Sequence, residues 1–300
     1  MNDQSELLIL LRLYGILSPS LLSKWWKEDP SLSLSEETSH PLKKLSNEKI
    51  SASSIRKLAE KELPKAKRLI KTYSDNGIGM IAISSPDYPA CLKTIHDPPP
   101  VLFLKGKKTF LNENRLIGIV GTRDPSSYGK SVVRHLAGEL SNKDWTIVSG
   151  LAKGIDGLAH KETIRTNGKT IGVIAGGFDH IYPRENRLLA RHMAESHLLV
   201  SEHLPHIKPQ KWHFPMRNRL ISGLTEGIVV IQGKERSGSL ITAYQALEQG
   251  REVFAVPGSI FDQNSQGPAR LIQEGAKLVA GIDDILDELP GFKVQYTDPV

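Results

Sequence analysis

From Arg115 onward the sequence alternates short apolar runs with amphipathic stretches, and this alternation constrains the fold more than any other feature. The runs are Leu116–Val120, Thr146–Val148, Thr170–Ala175, Leu198–Ser201, Gly227–Ile231 and Glu252–Val256. Between them lie Tyr128–Leu140, Asp156–Arg165, Arg184–Ala194 and Leu240–Gln249. Short runs rich in Val and Ile read as strands, and the longer stretches read as helices. Strands separated by single helices pair in parallel, because an antiparallel neighbour needs only a tight turn. The expectation is an α/β fold with a mainly parallel sheet and helices on both faces.

The first 84 residues read differently. Residues 6–28 are expected as one helix, with Leu7, Leu8, Leu10, Leu11 and Tyr14 forming its apolar face. A second helix is expected over 51–73, carrying Arg56, Lys57, Lys61, Lys65, Lys67, Arg68 and Lys71, and broken or kinked at Pro64. The serine-rich stretch SLSLSEETSH between them reads as a loop. The expected organisation is a small all-helical domain over 1–84, a proline-rich connector over 85–113, an extended Rossmann-like domain over 114–290, and a tail over 291–300.

The N-terminal apolar stretch is broken by Arg12, so it is too short to span a membrane. Its acidic start does not fit a secretory signal. A single cysteine, Cys91, permits no internal disulfide and suits a reducing cytoplasm. The net charge of +6 favours a polyanionic partner, but only the placement of the charges decides the matter.

In an open parallel sheet, ligands bind beyond the carboxyl ends of the strands. The residues that follow the runs are therefore the informative ones. They include Gly121-Thr122-Arg123, the loop from Ser149 and Gly150 through Lys153 and Gly154 to Asp156, and Tyr182-Pro183-Arg184. Lys211, Trp212, His213, Phe214, Arg217, Asn218 and Arg219 follow the fourth run, with Gln232-Gly233-Lys234 and Ser237-Gly238 after the fifth. Glycines bring backbone amides close to an anion, and helix N-termini add partial positive charge. Arg123 and Arg219 are expected to grip phosphate oxygens in bidentate fashion, with Lys153 and Lys211 as point charges. Phe214 and Trp212 offer flat faces for bases.

Enzyme signatures are incomplete. The first turn, GTRDPSSYG, lacks G-x-G-x-x-G, and the second run ends in Ser149-Gly150 instead of an acidic residue. Gly129-Lys130-Ser131 imitates the end of a P-loop, but Asp124 occupies its first glycine position. His203 and His206 lack further metal ligands, and no G-x-S-x-G elbow occurs. An enzyme on a similar architecture, a phosphoribohydrolase of the lysine-decarboxylase-like group, is the alternative reading. It needs P-G-G-x-G-T-x-x-E, which GKERSGSLITAYQ does not supply. A protein–protein adaptor with a vestigial pocket is a second alternative.

The segments GIVGTRDPSSYG, SGLAKGIDGLAH, IYPRENRLLA, HFPMRNRLISGL, SGSLITAYQALEQGREVFAVPGS and LIQEGAKLV resemble the DNA processing protein A family (DprA, or Smf) in order and spacing. So does the connector DYPACLKTIHDPPPVLFLKG, and the resemblance covers about residues 74–290. It implies a homodimer that binds single-stranded DNA during natural transformation and helps load the RecA recombinase despite single-strand-binding protein. It implies no cofactor, metal or catalysis. The DNA contacts carried over are Gly121, Arg123, Ser149, Gly150, Lys153, Gly154, Arg184, Lys211, Phe214, Arg217, Asn218, Arg219, Ser237 and Gly238. The dimer and recombinase surface is expected near Leu271, Ile272 and Leu278. Two positions depart from the family: Lys153 stands where arginine is usual, and Gln232 where glutamate is common. The winged-helix domain of longer members is expected to be missing beyond Val300.

Overall fold

The computed structural model describes residues 3–34 and 52–289. The expected helix over 6–28 is two helices, α1 (Asp3–Leu13) and α2 (Pro19–Glu28). Gly15 adopts a left-handed φ of 60° between them. Ser18 then caps α2, its hydroxyl accepting from the Leu21 amide, with Pro19 preset in the first turn. Helix α3 (Ala52–Asp75) continues unbroken past Pro64. A proline removes one hydrogen bond, and the burial of Ile55 and Ala66 on the opposite face holds the helix together across that gap. Part of the expected serine-rich loop, residues 35–40, and the tail over 291–300 lie outside the described residues.

The segment after α3 is not a bare connector. Strand β1 (Ile78–Ala82) pairs antiparallel with β2 (Val101–Gly106), across the single turn α4 (Ala90–Lys93). The expected boundary at residue 84 thus runs between two hydrogen-bonded strands. These strands escape the alternating pattern because prolines and polar turns surround them.

The remaining elements follow the alternation: β3 (Leu116–Val120), α5 (Ser127–Asn142), β4 (Thr146–Ser149), α6 (Ile155–Arg165), β5 (Thr170–Val173), α7 (Arg187–Ser196) and β6 (Leu198–Ser201). Then come α8 (His213–Leu224), β7 (Gly227–Val230), α9 (Gly238–Glu248), β8 (Glu252–Ala255), α10 (Gln266–Gln273), β9 (Lys277–Leu278) and α11 (Asp283–Leu286). The nine strands form one sheet in the order β1-β2-β6-β5-β4-β3-β7-β8-β9. From β6 to β9 all pairings are parallel, and β2 joins β6 antiparallel. This is the mixed, mainly parallel α/β sheet the alternation predicts.

Successive side chains of a strand face opposite sides, and the core divides accordingly. Ile117 and Ile119 of β3 pack with Val133, Leu136 and Ala159 of α5 and α6 on one face. Leu116 and Val120 belong to the other cluster, which reaches α8, α9 and the N-terminal helices through Leu8, Leu11 and Trp25. Each fully buried side chain of this size contributes about 1.5–3 kcal/mol. Among the described residues no helix is long and apolar enough to cross a membrane.

The order of strands reverses at β3. Its neighbours are β4 on one side and β7 on the other, so the connections leaving β3 and β7 diverge and open a crevice at their carboxyl ends.

Candidate nucleic-acid interface

Two adjoining cavities fill that crevice. One, of about 230 Å³, is lined by Arg123, Gly150, Lys153, Tyr182, Phe214 and Arg217 among others. Its neighbour, of about 330 Å³, is walled by Gly121, Thr122, Lys234, Arg236, Ser237 and Gly238. Arg123, Ala152, Phe214 and Arg217 border both. Arg123 is exposed and holds its Cζ 5.8 Å from the Phe214 ring centroid. Tyr182 meets the same ring edge-on, with centroids 5.7 Å apart. A cation and two aromatic faces thus form the ridge between the cavities. Lys153, Lys234 and Arg236 are exposed around it.

Below the ridge the polar groups are buried and satisfied. The Asp156 carboxylate accepts from the amides of Gly150 at 3.1 Å and Ala152 at 3.4 Å. Arg217 donates to the carbonyls of Gly150 and Val173, and its Nε to Asn218 Oδ1 at 3.1 Å. Asn218 passes the bond on to the Gly238 carbonyl at 3.2 Å. Burial lowers the Arg217 guanidinium to about 10, with Asp156 opposing the shift. Burial likewise raises the Asp156 carboxyl, and Arg217 opposes it. Each of the two opposite charges thus offsets part of the cost of the other's burial.

Two glycines admit this arrangement. Gly154 adopts φ 81°, and a Cβ there would lie 2.3 Å from the Thr122 carbonyl oxygen. That closeness lets the β4–α6 turn rest on the β3–α5 turn, sealed by the Ile155 amide donating to Thr122 at 3.2 Å. A Cβ on Gly150 would collide with the Arg217 guanidinium.

The expected site residues therefore separate into groups. Gly121, Arg123, Gly150, Lys153, Phe214, Ser237 and Gly238 line the cavities. Arg184 is exposed next to the cavity residue Pro183, whereas Lys211, exposed three residues before Phe214, lines neither cavity. Gly154 serves the turn-to-turn contact just described. Ser149 is a correction: it is fully buried and donates its hydroxyl to the Ile119 carbonyl at 2.6 Å, tying β4 to β3. Arg217 and Asn218 border the crevice as its buried base, with their polar groups already engaged.

Arg219 is the clearest correction. Two positions beyond Arg217 on a helix is a rotation of about 200°. Arg219 accordingly points away, into Glu202 at 2.6 Å and Asp97 at 3.7 Å. Leu271 is also corrected: at 1% exposure it belongs to the core and offers no surface, while Ile272 is half-buried and Leu278 is exposed.

Lys234, Arg236 and Tyr182 enter the site without having been singled out from the sequence as contacts. The signal was present in two cations flanking a strand-end turn, GKERSGS. Gln232 accepts from the Ser126 amide and donates to Ser126 Oγ and Asp262, and an ionised carboxylate could only accept. His203 stacks on His213 at 4.1 Å, and burial holds it neutral, at about 3. Among the described residues no three metal-ligating side chains gather.

A mainly parallel sheet with a basic, aromatic-ridged crevice at its switch point defines a Rossmann-like α/β protein. The sequence model of the family described as DNA recombination-mediator protein A matches residues 79–290, and the chain belongs to that family. It is 58% identical over 299 residues to the DNA processing protein DprA of Bacillus subtilis, covering 100% of both chains. Over 201 residues it is 47% identical to the DprA of Streptococcus pneumoniae, covering 67% of this chain and 71% of that one. The X-ray structure of the pneumococcal protein superposes with a TM-score of 0.79 at 35% identity, over 95% of this chain and 98% of that one. A Helicobacter pylori DNA processing protein A, described for its single-stranded DNA binding mode, gives 0.65 at 28% identity, over 71% and 95%.

Proposed function

We propose that this protein binds single-stranded DNA in the crevice, through phosphates and without base preference. The observation that carries this is the Arg123–Phe214 ridge, an exposed cation stacked on an aromatic face between two cavities. Arg123, Lys153, Lys234 and Arg236 supply charge for a backbone, and Phe214 supplies a face any base can stack on. Family membership and the single-stranded DNA binding described for the Helicobacter relative support the assignment.

On this reading the protein is a recombination mediator and no bond is broken in the crevice. Asp156 and Arg217 are each committed to backbone groups, which leaves them no role as base or acid. The bound strand passes to a RecA recombinase in competition with single-strand-binding protein during natural transformation. A homodimer forms through the surface near Ile272 and Leu278, of which Leu278 is 42% exposed. The work is done in the cytoplasm, a setting in which the free thiol of Cys91 persists.

The test is fluorescence anisotropy of labelled oligothymidine across a salt series. The logarithm of affinity should fall with log salt at about 0.7 per neutralised phosphate. A salt-independent affinity overturns the proposal.

A further inference from the structure

Phe261 and Ile260 are exposed at 92% and 88%, the highest values among the large hydrophobic side chains described. They sit on the loop after β8, at the carboxyl edge of the sheet. That loop is tied down on all sides. Tyr128 donates its hydroxyl to the Pro257 carbonyl at 2.7 Å, and the Gly233 amide donates to Asn264 at 2.7 Å. Asp262 accepts from Gln232 Nε2 at 3.0 Å and from the Asn264 amide at 2.8 Å, and Asn264 Nδ2 reaches the Asp124 carbonyl. A loop anchored this thoroughly does not expose an aromatic ring through slack. Its anchors, moreover, are the turns that wall the larger cavity, so the ring is presented beside the crevice.

Of the four other exposed aromatics described, all but Tyr14, which follows α1, lie on the same edge. Tyr182 lies after β5, Trp212 opens α8 and Tyr128 opens α5, with exposures of 54%, 63% and 47%. Arg123, Lys130, Lys153 and Lys234 are among the exposed cations spread between them. Flat faces alternating with cations are what an unpaired nucleic acid strand requires.

We infer that Phe261, with Ile260 beside it, is the far base-stacking station of a track that crosses the whole carboxyl edge from Tyr182 to β8. The inference rests on single-stranded DNA occupying the crevice and extends that reading beyond it. From β5 to β8 the edge spans four strand spacings, about 19 Å. A stacked strand advancing about 3.4 Å per nucleotide needs on the order of six nucleotides to cross it. Phe261 is therefore reached only by strands longer than those that fill the crevice.

The experiment compares oligothymidines of about four and about twelve nucleotides, lengths that bracket the track, on the full chain and its Phe261→Ala, Phe261→Leu and Phe261→Tyr variants. The longer strand should bind Phe261→Ala about fivefold or more weakly, the lower end of a lost base stack. The shorter strand should bind it as it binds the parent. Phe261→Leu should be as weak as Phe261→Ala, because it keeps apolar bulk and loses the flat face, and Phe261→Tyr should restore binding. Equal affinity of all variants for the longer strand overturns the inference while leaving the crevice intact. So does full binding by Phe261→Leu, or a change in self-association in place of DNA affinity, which makes the knob a protein contact. An unsubstituted protein that binds neither length overturns the crevice reading as well.

Discussion

The base of the crevice and its rim use the same chemistry for opposite ends. Arg217 lies at the base, buried against the carbonyls of Gly150 and Val173 and beside Asp156. Arg123 lies on the rim, exposed, with an aromatic face beneath it. Both border both cavities. The difference is hydration. A guanidinium without water must satisfy its donors from the protein, so it becomes scaffold, whereas one still in water keeps them available to an arriving phosphate.

The contrast breaks most directly at the base. Arg217→Met should lower stability by about 3–5 kcal/mol, because Asp156 and two carbonyls lose their partner while buried. The check is a denaturant titration followed by circular dichroism, and near-parental stability would remove the distinction. Acid should act on the same buried layer. His160 is fully buried, with Nδ1 2.6 Å from the Thr170 hydroxyl, and burial lowers it from 6.5 to about 3. His203 is held at about 3 and His197 at about 4. A depressed value means the unfolded chain binds protons that the folded one refuses. Stability is then complete above about pH 6.5 and declines as pH falls through the window toward 4, by up to about 1.4 kcal/mol per pH unit for one such histidine. Melting curves at pH 7 and pH 5 should show the loss, and a flat profile would contradict it.

Rim changes should touch binding alone. Arg123→Ala should weaken oligothymidine binding roughly tenfold and lower the salt slope by about 0.7, with stability within about 0.5 kcal/mol of the parent. Lys153→Ala should produce the smallest effect, a few-fold loss equal for all sequences. Should Lys153→Ala unfold the chain or Arg123→Ala leave affinity unchanged, rim and base have been assigned the wrong way round.

The parallel part of the sheet was legible because its strands are continuous Val- and Ile-rich runs, a pattern created by burial on both faces. Strands β1 and β2 were not, since IGMIA follows directly on a basic helix and VLFLKG on three prolines. The strand-end rule pointed to Arg123, Lys153 and Phe214, which line the crevice. It misread Arg219 and Ser149, because residue type cannot reveal which way a helix turns a side chain or whether a hydroxyl will lock two strands. Glu202 and Asp97, the partners that take Arg219 inward, lie far away in the sequence and adjacent only after folding.

Strand β2 has a practical consequence. Because it runs antiparallel alongside β6 and carries β1 and the N-terminal helices with it, a fragment beginning near residue 114 would leave β6 with a bare row of amides and carbonyls. Such a trimmed chain would tend to pair with copies of itself and precipitate, so a minimal binding unit cannot be cut out at the point where the strand–helix alternation begins.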